Sequence, residues 1–151
     1  DTLVKRFNSL QHWKAFRLGS PSVALPDVLA VNNPDSTIFT IEAKSGTGTT
    51  LQVPFDQIER CLNWVNNFQV YQKREVILAF KFLSKKRIGV GTYEKRKLHE
   101  FYKVWDKTKK PIDFVCTYDG RTYALKNGKQ KRLELKDFLM PFKSKYQLFY
   151  K

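Results

Sequence analysis

The stretch Leu25–Gly46, LPDVLAVNNPDSTIFTIEAKSG, decides how this chain is read. Two strand-like runs, VLAV and TIFTI, flank NNPDS, a cluster of turn residues, so the segment reads as one hairpin. Pro26-Asp27 stands at the start of the first run, and Glu42-Ala43-Lys44 ends the second, with Glu42 fifteen residues after Asp27. Alternate side chains of a strand share a face, so Glu42 and Lys44 point one way and Ala43 the other. The hairpin therefore gathers two carboxylates and an ammonium at one end.

Magnesium takes hard oxygen ligands and keeps several waters, so one or two carboxylates plus a substrate phosphate suffice. Asp27 and Glu42 are the candidate ligands, and the Ala43 carbonyl can add a backbone oxygen. Such a metal lowers the pKa of a bound water and neutralises charge on a phosphate. Lys44 would orient that water or stabilise the developing charge, and the sequence leaves both roles open. Taken singly, Pro-Asp is a turn signal and Glu-x-Lys on a strand is commonly a solvated face. Their joint spacing around one hairpin is what points to phosphodiester hydrolysis.

This pattern resembles the PD-(D/E)XK nuclease superfamily, here as PD followed by EAK. The flanks narrow the resemblance. Thr2 to Phe7 reads as an amphipathic helix with Leu3, Val4, Phe7 and Leu10 on one stripe, and WKAFRL from Trp13 as a strand ending at Gly19-Ser20. Beyond the hairpin, Pro54 sits where a first helical turn tolerates it. Phe55, Ile58, Leu62 and Val65 follow at helical spacing, with Gln57 on a neighbouring face. Helix, strand, Gly-Ser loop, PD/EAK hairpin and helix with a Gln is similar to the archaeal Holliday junction resolvases over about residues 1 to 83, and looser beyond.

The resemblance implies a restriction-endonuclease-like α/β fold, a central mixed β-sheet flanked by helices. It implies magnesium-dependent cleavage of branched double-stranded DNA, with four-way junctions as substrate and manganese able to replace magnesium. Asp27, Glu42 and Lys44 become the catalytic core, Ser20 the loop serine near the scissile phosphate, Gln57 the helix residue behind the site, and Arg17 the strand arginine on DNA. The family also places an acid on its first helix. Counting back from Leu3, Val4 and Phe7 puts that acid just before Asp1, whereas counting back from Trp13 puts it on Asp1. The neighbouring readings are another restriction or repair endonuclease, and a branched-DNA-binding protein with little activity.

Composition agrees with a nucleic-acid partner. Twenty-eight Lys and Arg against 14 Asp and Glu give a formal net charge of +14, a field that favours a polyanion. No Lys-rich amphipathic helix or long apolar run suggests a membrane. The two cysteines, Cys61 and Cys116, lie inside apolar patterns and read as buried thiols, which suits a cytoplasmic, nucleoid-associated archaeal protein.

The expectation is a single domain over 1–151, with a catalytic core to about residue 83 and a basic loop and C-terminal extension after it. EVILAFKFL from Glu75 reads as a central strand, and KLHEFYKVWD from Lys97 as another. Between them, LSKKRIGVGTYEKRK reads as a flexible basic loop whose Lys85, Lys86 and Arg87 reach a DNA backbone. Asp119-Gly120 and Asn127-Gly128 mark turns between small strands, and a short helix or extended piece is expected around Leu135 to Phe138. The tail FKSKYQLFYK mixes Lys with aromatics, read as folding over the core or as a dimer contact ahead of base stacking. A junction has two-fold symmetry and needs paired nicks, so a homodimer is expected, with Phe142, Tyr146, Phe149 or the Trp64-bearing helix as its surface.

Overall fold

In the computed structural model, which describes residues 2–18 and 25–150, the hairpin lies where its turn residues put it. The elements run α1 (Thr2–Asn8), β1 (Trp13–Arg17), β2 (Val28–Asn32), β3 (Thr37–Gly46), β4 (Thr50–Val53), α2 (Phe55–Asn67) and β5 (Lys73–Phe82). They continue β6 (Lys85–Gly89), β7 (Thr92–Lys95), β8 (His99–Val104), β9 (Phe114–Thr117), β10 (Thr122–Lys126), β11 (Lys129–Arg132) and β12 (Lys136–Asp137).

Six strands form the central sheet in the order β1-β2-β3-β5-β8-β12. β3 and β5 are parallel, with Thr40 opposite Val76 and Glu42 opposite Leu78, while the other neighbours are antiparallel. A parallel pair needs a crossover connection, and α2 supplies it. The sheet is therefore mixed, as expected. Residues after 83 contribute β8 and β12 to it, so the second half of the chain completes the sheet that carries Glu42.

Each face of the sheet has its own core. Val76, Leu78, Phe80 and Phe82 of β5 pack with Ile58, Cys61, Leu62 and Val65 of α2. A second sheet, β11-β10-β9-β4, adds Phe114 and Cys116 to that side. On the opposite face, Phe39 and Ile41 of β3, Ile77 and Ala79 of β5, and Leu3 and Phe7 of α1 form the other core. The apolar run of β5 is continuous because both of its faces are covered. Phe55 is an exception to the α2 stripe: at the first helical position it is half exposed, and its N–H is taken by Asp113 Oδ1 at 2.8 Å.

Both turn signals hold. Asn127 and Gly128 have φ of 53° and 74°, the left-handed pair that a two-residue hairpin turn requires. Gly120 has φ of 88°, and a Cβ there would lie 2.5 Å from Phe101 Cε1, so both backbone and space demand glycine. The segment at 135–138 is extended, with β12 pairing to β8. The expected basic loop is instead an antiparallel hairpin, β6–β7, because its residues pair across the Gly89–Gly91 turn.

The tail folds over the core, the blander of the readings its aromatics allow. Phe142 is buried edge-on against Phe7 at 5.1 Å, which removes it from the candidate dimer contacts, whereas Tyr146 and Phe149 stay partly exposed. Tail backbone also bonds to β8, through Glu100 N–H to Tyr146 O and Leu148 N–H to Glu100 O. No helix among the described residues is long and apolar enough to cross a membrane.

β8 buries two charges that its pattern did not announce. Lys103 Nζ meets Asp137 Oδ1 at 2.6 Å. Glu100, with its side chain 3% exposed, receives Arg6 Nη1 and Nη2 at 2.9 and 3.1 Å and the Ser144 hydroxyl at 2.7 Å. Burial alone would raise the Glu100 pKa, but the bonds from Arg6 and Ser144 hold it below the usual carboxylate value. A depressed carboxyl stabilises the fold above its unfolded pKa and loses that contribution as pH falls through the folded one. Glu100→Ala should thus cost about 3 kcal/mol at neutral pH, the scale of breaking a buried pair. Urea unfolding should show that difference shrinking at acid pH.

Candidate active site

The alternation of β3 sets the site. Thr40 and Glu42 face α2, and the Thr40 hydroxyl donates to the Cys61 carbonyl at 3.0 Å. Glu42, fully buried, accepts from Arg60 Nε at 3.1 Å and from the Cys61 thiol at 3.7 Å, both on Oε1. Its other oxygen, Oε2, has no hydrogen-bond partner. Burial pushes the Glu42 pKa up to about 7; the Arg60 bond opposes the shift, and the charge of Asp27 adds to it. Asp27 and Glu42 therefore feel each other, as the hairpin spacing predicts.

Asp27 is held from the neighbouring strand. Its Oδ2 accepts the Ala43 N–H at 3.0 Å, and its carbonyl accepts the Leu18 N–H at 3.0 Å. The Ala43 peptide thus sits between the two carboxylates. Lys44 is half-buried; it also borders a cavity of about 200 Å³ with Arg6, Lys81 and Glu100, which lies on the α1 side of the sheet, across from the face Glu42 takes against α2. Arg17 ends β1 opposite Val28, the residue after Asp27, which places it beside the site on the sheet edge. Gln57 is one helical turn before Arg60, and its buried Oε1 has no hydrogen-bond partner.

Ser20 and Asp1 lie outside the described residues. Among those described, no group of three or more His, Cys, Asp or Glu forms a metal cluster, so the acidic pair is Asp27 and Glu42. That pair still fits magnesium. An unpartnered buried carboxylate oxygen is costly unless something binds it, and two hard oxygen donors are what this cation uses from protein.

Arg60 is the residue the sequence did not give up. A charged residue on an amphipathic helix reads as a solvated face, and its partner lies eighteen positions away on another element. The site-facing positions of α2 could have been found only by knowing that Cys61, its neighbour, packs on β3.

Two acids with an adjacent lysine at the end of a mixed-sheet hairpin are the residue types a nuclease site uses. The sequence matches the archaeal Holliday junction resolvase (Hjc) family over residues 8–140, well past the segment in which the motifs lie. The chain belongs to that family, and so is a junction-resolving endonuclease. Among solved structures, it is similar to the Holliday junction resolvase Hjc of the archaeal hyperthermophile Archaeoglobus fulgidus, with 21% identity over 78% of this chain and 85% of that one and a TM-score of 0.47. No curated protein matches the sequence.

The pairing in the site has a measurable consequence. Removing Arg60 leaves Glu42 buried without its cation and drives its pKa further up. A carboxyl raised in the folded state favours folding below its unfolded pKa, and that advantage is lost as pH rises through the folded value. Arg60→Ala should therefore cost about 3 kcal/mol at pH 8.5 and far less at pH 5.5, where Glu42 carries a proton. Chemical unfolding at the two pH values measures it.

Proposed function

We propose that the chain resolves four-way DNA junctions by magnesium-dependent hydrolysis, with one site per chain and two chains per junction. The observation that carries the metal reading is the buried Glu42 Oε2, unpartnered and within the influence of Asp27. Asp27, Glu42 and the Ala43 carbonyl would hold the ion, with Asp1 as the candidate further acid on the family resemblance. When bound, the ion supplies an activated water and neutralises charge on the phosphate.

The side chains do the rest. The Ala43 N–H fixes the Asp27 carboxylate, so the hairpin aims both acids before DNA arrives. Arg60 holds Glu42 Oε1 and leaves Oε2 without a hydrogen-bond partner. Lys44, two residues from Glu42, offers its ammonium to a phosphate oxygen as charge builds. Ser20 and Gln57 are assigned to the scissile phosphate and to the back of the site on the family resemblance, and Arg17 to the DNA backbone. The net charge of +14 supports DNA as substrate, and the two free, buried cysteines support a reducing cytoplasm.

The dimer follows from symmetry. Two nicks on opposite strands of a two-fold substrate need two sites, and each chain brings one. Tyr146, Phe149 and the Trp64 face of α2 are the surfaces left for the contact.

Nicking of a labelled junction should rise with magnesium and should exceed nicking of a linear duplex. Asp27→Asn and Glu42→Gln should each abolish it while junction binding in a gel shift stays within a few-fold of wild type, since binding rests on phosphate contacts elsewhere. Lys44→Ala should do the same without removing the metal. Wild-type rates in any of the three would take that residue out of the site. Intact junction binding with no nicking at any magnesium concentration would leave a binding protein instead.

Light scattering should give twice the chain mass. Affinity for the junction should fall steeply with salt while its preference over duplex survives. A monomer that binds junction and duplex equally would overturn the resolvase assignment.

A further inference from the structure

The β6–β7 hairpin projects from the sheets as a separate two-stranded ribbon. Its base is fixed firmly. Arg96 donates to the carbonyls of Leu83, Gly48 and Gly46 at 2.8, 2.8 and 3.3 Å, and its guanidinium lies 4.7 Å from the Tyr118 ring centre. Backbone bonds from Arg87 N–H to Thr47 O and from Leu83 N–H to Gly46 O, both 2.9 Å, tie the ribbon to the end of β3. Gly46 is two residues beyond Lys44, roughly 7 Å along the strand. The ribbon, which follows β5 in the chain, is therefore tied to the end of the strand that carries Glu42 and Lys44.

Its register sorts its charges. Lys85 pairs with Lys95, Lys86 with Glu94, and Arg87 with Tyr93. Directly opposed and alternate residues share a face, so Lys85, Arg87, Lys95 and Tyr93 lie together. Lys85 Nζ sits 4.9 Å from the Tyr93 ring centre, which agrees with that sorting. The other face has Lys86 against Glu94 at 4.0 Å and is locally neutral.

Like charges directly opposite destabilise a hairpin, and Lys85 faces Lys95 as Lys126 faces Lys129 on β10–β11; what β6–β7 adds to the repeated pair is the Tyr93 ring. The tip is equally unsuited to water: Ile88 is 55% exposed and Val90 91% exposed, on either side of Gly89. A basic, aromatic face that ends in a bare apolar tip matches a duplex groove. A two-stranded ribbon fits the major groove, where cations meet phosphates and apolar side chains meet base edges.

We infer that the β6–β7 ribbon is an arm that grips one DNA duplex arm of the substrate outside the cleavage site, through Lys85, Arg87, Lys95 and Tyr93, with Ile88 and Val90 in the groove. This rests on the junction-resolvase reading. It also reassigns Lys86, which the sequence placed on DNA, to the face turned away from it.

The experiment measures junction binding by fluorescence anisotropy across salt concentrations, with calcium in place of magnesium, on the full chain. Wild-type preference for junction over single-stranded DNA is recorded first, and its absence would defeat the resolvase reading itself. Given that preference, Lys85→Ala/Arg87→Ala/Lys95→Ala should weaken junction binding about tenfold or more near 0.1 M salt. It should also flatten the slope of log affinity against log salt by about 2.7, at 0.9 per phosphate. Lys126→Ala/Lys129→Ala/Lys131→Ala removes the same charge from β10–β11 and should do much less.

Ile88→Ser/Val90→Ser should weaken binding with the salt slope unchanged. The Lys85 triple variant should melt close to wild type, because relief of the like-charge pair offsets loss of the Lys85–Tyr93 contact and of the Arg87 Nε–Gly89 O bond. Equal losses in the two triple variants would reduce the effect to net charge and overturn the inference. So would wild-type binding by the ribbon variants, or a tip variant that changes the oligomeric state and not DNA binding.

Discussion

Everything near the site depends on how Glu42 is kept inside the protein. A carboxylate with no exposed surface loses several kcal/mol of hydration, and burial has already moved it to about pKa 7. Arg60 returns part of that loss through one oxygen and leaves the second oxygen unmatched. The pairing works only if α2 lies at one height against β3. The Thr40 hydroxyl on the Cys61 carbonyl fixes that height, two residues along β3 from Glu42 and one along α2 from Arg60. The crossover that makes β3 and β5 parallel is thus also the brace that holds the metal-ligand candidate.

That brace explains which parts could be read from residues alone. Period-two alternation and a turn cluster are local signals, so the β2–β3 hairpin and the proximity of Asp27 to Glu42 were legible. The stripe Ile58, Cys61, Leu62, Val65 was legible because helical spacing is local too. Arg60 was not, since nothing local separates a cation facing solvent from one facing a buried acid. Gln57 was chosen from the same helix on the strength of a family likeness. Gln57 lies three residues before Arg60, and Arg60 is the one bonded to Glu42.

β8 shows the same limit from the other direction. Its alternation identified a strand, but Glu100 and Lys103, on opposite faces of it, would each ordinarily mark a solvated position. They are inside because their partners arrive from α1, from β12 and from Ser144, which lie 94, 34 and 44 positions away. Only the closed sheet brings these together. A catalytic core that ends near residue 83 is therefore incomplete as a folding unit: its central strand β5 needs β8, and β8 needs the tail.

Charge is handled in two opposite ways in this molecule. Within the sheet, each buried ion has a counter-ion chosen by the fold, and the electrostatics serve stability. On the β6–β7 ribbon, Lys85 and Lys95 face one another with only a tyrosine ring nearby, and the tip turns two aliphatic side chains to water. Lys126 and Lys129 repeat the like-charge pairing on β10–β11, so on β6–β7 the pairing gains its meaning from the Tyr93 ring beside it and the bare apolar tip. That combination, on a firmly anchored element, is explained by a partner that meets it. A polyanionic duplex with apolar base edges resolves both at once, which is why the ribbon belongs with the substrate and not with the core.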